Sequence, residues 1–332
     1  MINFTQVCGI DVSKDTLDYC LIPSSPNEPI SDCFSNDSTS IRAQFSGSAF
    51  DSTLFVVEPT GNYSAKLLHE LSQMGRHISL VSPYQSKSYM TFLGQTNKTD
   101  KQAAYALGMM GRNNVHLRPY RAPSEQMQKR RQILSAVKAL EKQQRMLKNQ
   151  LHALAELPLI EQTTKMALET VLETVQEQID QLQAQLYQPD QDPQFNQKMK
   201  WATSVKGIGP VIATNILIAS NGLQDFDNAD QLSKFFGLTP FSHHSGISIH
   251  QKGRITKFGN SNVRSSLYMG ARSAIKYNHA CKNLYERMRR NGKPHKVAMV
   301  AVMHKLVKQV FACVTKETLF DNDFETKIKK KD

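Results

Sequence analysis

Cysteine is scarce in this chain and does not pair. The five residues, at 8, 20, 33, 281 and 313, are odd in number and form no CxxC motif. That argues against a disulfide framework or a zinc finger and fits a reducing compartment. Long apolar runs are also missing. The longest, Val297–Met303, is seven residues, far short of the ~18–20 that a membrane span needs. The opening stretch lacks a basic n-region and Asp11 follows it directly, so no secretory signal is expected. No internal repeat of roughly 20–50 residues stands out. Gly is absent between Ser124 and Gln188, and acids are nearly absent between 241 and 310.

What is present sets the frame. At 332 residues the chain is too long for one ordinary core, and two or three domains are expected. A 40% hydrophobic content excludes wholesale disorder. The formal net charge of +12 is unevenly placed. Residues 241–310 hold 14 Lys and Arg against one acid, Glu286, whereas residues 1–100 hold 6 Lys and Arg against 10 Asp and Glu. A basic segment interleaved with apolar residues reads as a folded polyanion-binding surface, with nucleic acid the leading partner. A membrane surface is disfavoured, because no strong amphipathic anchor is present.

Along the chain, Val7–Ile22 predicts two strands around a turn, and Thr53–Val57 and His77–Val81 predict two more. Helical spacing over Asn62–Met74 ends at Gly75, and Ser86–Leu107 reads as helical in pieces. This alternation predicts an α/β domain over 1–118. Val137, Leu140, Gln144, Leu147, Leu151 and Leu154 then step by three and four, as do Leu168, Leu172, Val175, Ile179, Leu182 and Leu186 beyond Pro158. Two heptad-patterned helices around a proline predict an antiparallel hairpin or an intermolecular coiled coil over 119–195. A polar linker at Asp190–Gln194 leads into a mostly helical third region, 196–332.

Three motifs carry chemistry. In Ser204–Ala219, a Gly207-Ile208-Gly209 turn precedes a helix with Pro210 at its start. Glycines let backbones approach closely, and a helix N-terminus offers N–H groups to phosphate. The pattern is that of a helix-hairpin-helix, with Lys206 beside it. Next, Asp11 ends a strand, Glu58 ends another, and Asp100 opens a helix. Hard carboxylate oxygens so placed suit Mg²⁺, as in ribonuclease H-like folds. Lastly, Ser245-Gly246-Ile247-Ser248 holds a possible nucleophile. Lys252, Arg254, Lys257 and Arg264 follow it and can neutralise a phosphodiester. His243 and His244 precede it, and adjacent strand residues point apart, so a joint ligand role is not expected.

GIDVSKDTLD, VVEPTGNY and NKTD, then a helical middle, then SVKGIGPVIA, FFGLTP and SG-x-S, together resemble the DEDD transposases of insertion-sequence family one-hundred-ten, relatives of the Piv-type DNA invertases. The resemblance spans nearly the whole chain. It implies an N-terminal RuvC-like (ribonuclease H-fold) domain, a coiled-coil region and a C-terminal transposase domain. It implies that Asp11, Glu58 and Asp100 bind Mg²⁺ and that Ser245 attacks DNA to form a covalent phosphoserine link. It further implies donor and target DNA as substrates, a bridge RNA as guide, a dimer that pairs into a tetramer, and the cytoplasm of a prokaryote. One departure stands out: Ala103 occupies the position of the family's fourth acid. It reads either as an inactivating replacement or as a natural three-acid variant. Two alternatives stay open from the residues themselves. One is a metal-dependent nuclease or junction resolvase with a structural Ser245; the other is a nucleic-acid-binding protein without chemistry.

Overall fold

The computed structural model describes the chain except residues 1–3, 25–27, 95–98, 114–116, 188–191, 242–243, 246–248, 251–253, 256–258 and 325–332. It divides into two compact units, Met1–Ala122 and Pro123–Asp332.

The first unit is a mixed sheet with helices on both faces. Its strands are β1 (Gln6–Val12), β2 (Thr16–Pro23), β3 (Ile30–Ser35), β4 (Thr53–Val57), β5 (His77–Leu80) and β6 (Arg118–Pro119), in the order β3-β2-β1-β4-β5-β6. β1 pairs antiparallel with β2 and parallel with β4, and β4 is parallel to β5. Strands alternate side chains between faces. Cys8, Ile10 and Val12 of β1 and Phe55 and Val57 of β4 therefore face one way. There they meet Ile41 and Phe45 of α1 (Ser38–Phe45) and Leu67, Leu68 and Leu71 of α2 (Ala65–Gln73). Phe45 sits at the centre, edge-on to Tyr19, Phe34, Phe50 and Phe55 at 5.1–5.6 Å. Val7 and Val56 face the other way, against Leu107 and Met110 of α4 (Asp100–Arg112). A mixed sheet of this kind fits the RuvC-like architecture expected of the N-terminal region.

Gly9 sets how closely α4 lies on the sheet. A Cβ there would come 2.1 Å from the Ala104 carbonyl oxygen and 2.2 Å from the Gly108 nitrogen. Only a glycine admits backbone at that distance. α3 (Pro83–Phe92) precedes α4 and packs on it. Its start is fixed by a capping box between Ser82 and Gln85 and by Pro83 in the first turn.

The second unit opens with α5 (Glu125–Ala155), capped by Ser124, and α6 (Gln162–Tyr187). The two pack on each other in antiparallel sense, with Gln144 bonded to Gln176 and Gln183 to Glu141. Of the heptad residues, Val137, Ile179 and Leu186 are buried and the rest are half-buried. At its base the hairpin joins the core of the unit through Met127 and Leu186. Arg130 anchors it, with its guanidinium 3.8 Å over the Phe195 ring and 2.9 Å from Asp192.

The remaining helices are α7 (Pro193–Ser204), α8 (Pro210–Ala219), α9 (Ala229–Phe235), α10 (Ser261–Tyr277), α11 (His279–Arg290) and α12 (His295–Thr315). α12 is long and apolar enough by composition to cross a membrane, yet half of that window is buried within the unit. Its Met299, Val302, Leu306, Val307 and Val310 are core residues at 0% exposure. Packing against α7, α9, α10 and α11 accounts for its hydropathy. All five cysteines are free thiols, and four are buried.

Candidate active site

The first unit places the three acids at one end of the sheet. Asp11 lies near the end of β1, on the α4 face with Val7 and Gly9. Glu58 directly follows β4, which runs parallel to β1 with Ile10 opposite Val57. Both acids therefore stand at the carboxyl ends of adjacent parallel strands, the edge where α/β sheets bind ligands. Asp100 is the first residue of α4, after Thr99, whose side chain accepts from the Gln102 N–H. Gly111 lies over Val7, while Ala104 and Gly108 lie over Gly9. α4 thus runs antiparallel to β1, and its N-terminus with Asp100 comes to the Asp11 end.

The acids share this edge without forming a preassembled cluster. Among the described residues, no three His, Cys, Asp or Glu side chains are arranged to hold a metal ion. The donor set, all hard carboxylate oxygen, matches Mg²⁺ in chemistry. Ala103 is 5% exposed and sits among Met90, Ala106, Tyr89 and Leu93. The fourth-acid position is therefore an apolar contact between α3 and α4 in this chain.

Three side chains here carried no sequence signal. Ser86 of α3 donates its hydroxyl hydrogen to Glu58 Oε2. Asp18 is the cross-strand partner of Asp11, is buried, and accepts from Cys33 Sγ at 3.6 Å. Asn36 donates from Nδ2 to the Ser13 carbonyl at 2.8 Å and the Tyr63 carbonyl at 3.0 Å. It staples the loop after Asp11 to the loop after Glu58. Its own Oδ1 is buried with no hydrogen-bond partner among the described residues.

In the second unit, α7 and α8 flank the Gly207-Ile208-Gly209 turn. Gly207 has φ +103°, and a Cβ would meet the Ala274 Cβ at 2.7 Å and the Gly270 oxygen at 2.9 Å. The backbone that Gly207 approaches is thus that of α10 in the same unit. Gly209, the N-cap of α8, has open space where a Cβ would go and provides no capping side chain. Lys206 is exposed, and its carbonyl accepts from Asn278 Nδ2 at 3.1 Å. Lys198 of α7 is committed internally: its ammonium donates to the Gly222 carbonyl at 2.9 Å, and burial pulls its pKa down.

Ser245 lies on the short strand β8 (His244–Ser245), paired antiparallel with β9 (Ile249–His250). That pair is nested between β7 (Pro240–Phe241) and β10 (Arg254–Ile255), where Arg254 pairs with Phe241. Lys252, Lys257 and His243 lie outside the described residues. Arg264 donates from Nη1 to the Phe236 carbonyl at 3.1 Å and so braces α10 against the end of α9.

Comparison with known proteins gives a consistent result. Residues 8–157 match the DEDD transposase family of IS110 elements, and residues 199–286 match the transposase family IS116/IS110/IS902. The chain is 29% identical over 333 residues to the pilin gene-inverting protein of Moraxella bovis, covering 94% of this chain and 97% of that protein. It is 28% identical to the Moraxella lacunata protein of the same name, with the same coverage. An uncharacterised protein of insertion element IS110 from Streptomyces coelicolor is 26% identical over 120 residues, covering 36% of this chain and 29% of that protein. Thermus thermophilus RuvC matches at 13% identity and a TM-score of 0.26, covering 35% of this chain and 99% of the other. The two family matches together take in most of the chain, with the acids in the first and Gly207 and Ser245 in the second. The chain belongs to the IS110 family of DEDD transposases and is a DNA recombinase of that class.

Proposed function

We propose that this transposase cuts and rejoins DNA through Ser245, assisted by a Mg²⁺ ion held by Asp11, Glu58 and Asp100. The observation that supports this reading is that Asp11 and Glu58 end adjacent parallel strands and that the N-terminus of α4, with Asp100, reaches the same edge of the sheet. Mg²⁺ bound there would supply positive charge to a phosphodiester oxygen as negative charge develops in the transition state.

The serine step conserves bonds. Ser245 Oγ attacks phosphorus, forming a serine–phosphate ester as the bond to the departing sugar oxygen breaks. The hydroxyl proton passes to a base, and the sugar oxygen takes up a proton. The number of phosphoester bonds is unchanged, so the reverse attack by a new strand end needs no external energy source. Lys206, Gly207 and Gly209 in the helix-hairpin-helix turn, with Lys252, Arg254, Lys257 and Arg264, are assigned to the DNA backbone. Gly207 acts there by seating the turn on α10, and Arg264 by bracing the same unit. Donor and target DNA are the substrates and a bridge RNA the guide. A dimer that pairs into a tetramer is the assembly, and α5–α6 is its coiled-coil element. The functional regions are 1–118, 119–195 and 196–332, the second and third lying almost wholly within one compact unit.

Ala103 leaves the cation one carboxylate short, which weakens the site if the family's fourth acid is needed and leaves it working if three acids suffice. On the first reading, replacing Ala103 with Asp should raise Mg²⁺-dependent strand exchange by at least ~10-fold, since a direct ligand should count for no less than the outer partners of a metal site; no gain supports the three-acid reading. The test incubates the Ala103→Asp protein with donor DNA, target DNA and the RNA flanking the element. A covalent protein–DNA adduct on denaturing gels is expected, and Ser245→Ala should abolish both adduct and exchange. Exchange that survives Ser245→Ala refutes the nucleophile assignment. Cleavage without an adduct points to attack by water instead.

A further inference from the structure

We propose that Ser86 is a positioning residue for the Glu58 carboxylate, an inference that rests on the reading of Glu58 as a metal-binding acid. Ser86 is 6% exposed, and its hydroxyl donates to Glu58 Oε2. A water molecule cannot readily replace a donor so buried. α3, which carries Ser86, is fixed at both ends. The capping box of Ser82 and Gln85 sets its start, and Met90 packs on Ala103 and Ala106 of α4. α4 is the helix that opens with Asp100. One short helix thus couples the second acid to the helix bearing the third.

The chemistry follows from the donor count. A serine hydroxyl has one proton to give, and a carboxylate has about four lone-pair sites. Donation to Oε2 fixes the rotation of the carboxylate and leaves Oε1 for a cation. Ordering a metal ligand before the metal arrives lowers the entropy lost on binding. Outer partners of this type are worth about 10–100-fold in metal affinity. The opposite role, in which Ser86 competes with the cation for Glu58, gives the opposite sign on removal.

The test measures Mn²⁺ binding to the full chain by electron paramagnetic resonance, with Mn²⁺ as the probe ion. Ser86→Ala should raise the Kd for Mn²⁺ by about 10–100-fold while leaving the melting temperature close to that of the unmodified protein. Ser86→Thr keeps the hydroxyl and should restore the affinity. Binding by Ser86→Ala that is unchanged or tighter overturns the proposal, as does a Thr variant no better than Ala. Glu58→Gln separates the two levels of inference. If it binds Mn²⁺ like the unmodified chain, or if the unmodified chain shows no saturable binding, the reading of Glu58 fails instead.

Discussion

Replacing Gly9 with Ala is the sharpest test of how the fold builds the acidic edge. The new methyl would stand 2.1 Å from the Ala104 oxygen and 2.2 Å from the Gly108 nitrogen, where ordinary contact begins at 3.4 Å. Both obstacles are helix backbone, so no side chain can rotate away. α4 must retreat by about 1.3 Å, the difference between 3.4 and 2.1. That retreat opens the contacts of Leu107 and Met110, each 1% exposed, and of Ala104, which is fully buried. Overpacking of this kind costs ~1–3 kcal/mol, and a gap approaching 1 Å forfeits a quarter to a half of each dispersion contact. A total of about 3–4 kcal/mol lowers the melting temperature of a unit this size by roughly 10 °C. Differential scanning calorimetry on the full chain reads it out, with Gly47→Ala as control. Gly47 has φ −61° and nothing within 4 Å of an added Cβ, so its replacement should be nearly silent. A Gly9→Ala protein that melts within about 2 °C of the parent, with recombination unchanged, refutes the claim that this close approach positions Asp100.

The two glycines of the α7–α8 turn should part company. Gly207→Ala is expected to destabilise by roughly 2–4 kcal/mol, from its positive φ and the clash with α10. Gly209→Ala should fold normally yet bind duplex DNA more weakly in a gel-shift titration. Asn278 is fully buried, and its side chain bonds Lys206, Gln309 and the Cys281 N–H. Asn278→Ala should cost about 2–4 kcal/mol in urea denaturation. Glu161 accepts from the Thr164 and Thr163 N–H groups at the start of α6, which holds its pKa at about 2 against an ordinary 4.5. A lowered folded pKa stabilises above the ordinary value and is lost as pH falls. Amide protection at the first turn of α6, measured relative to the intrinsic exchange rate at each pH, should therefore fall as pH drops from 4.5 to 2, and Glu161→Gln should flatten that dependence.

The elements most legible in the sequence are those buried on both faces. Thr53–Val57 reads as a strand because every position is apolar or β-branched, and it lies in the middle of the sheet. β3 is an edge strand whose residues are mostly exposed, so Ile30–Ser35 shows no alternation to find. α1 buries only Ile41 and Phe45, too few to make a periodic stripe, although Asp37 caps its start. The heptad pattern of α5 and α6 left two pairings open; within the chain the two helices pack as an antiparallel pair. The acids were visible because each sits at a break after an apolar run or before a helix. Ser86 was not, since a serine within PYQSKSYMTF looks like any solvated helix residue. Burial and a carboxylate partner, both tertiary facts, distinguish it. Of the two glycines at 207 and 209, only Gly207 makes a close backbone approach, and no local pattern could name α10 as the surface approached.

The seating of the Lys206–Gly209 turn also sets an order of events during synthesis. The turn is complete in sequence at Gly209, but its supports come much later. They are Gly270 and Ala274, which receive Gly207, Asn278, which holds the Lys206 carbonyl, and Gln309, which holds Asn278. The Phe320 N–H then bonds Ser204 Oγ from the far side at 2.9 Å. About a hundred residues separate the turn from the last of these, an interval of roughly 5–20 s at the rates at which chains are made. Throughout that interval the nascent protein has its acidic unit but not its finished turn. On the DNA-binding role proposed for this turn, its grip would wait until α10 and α12 are in place.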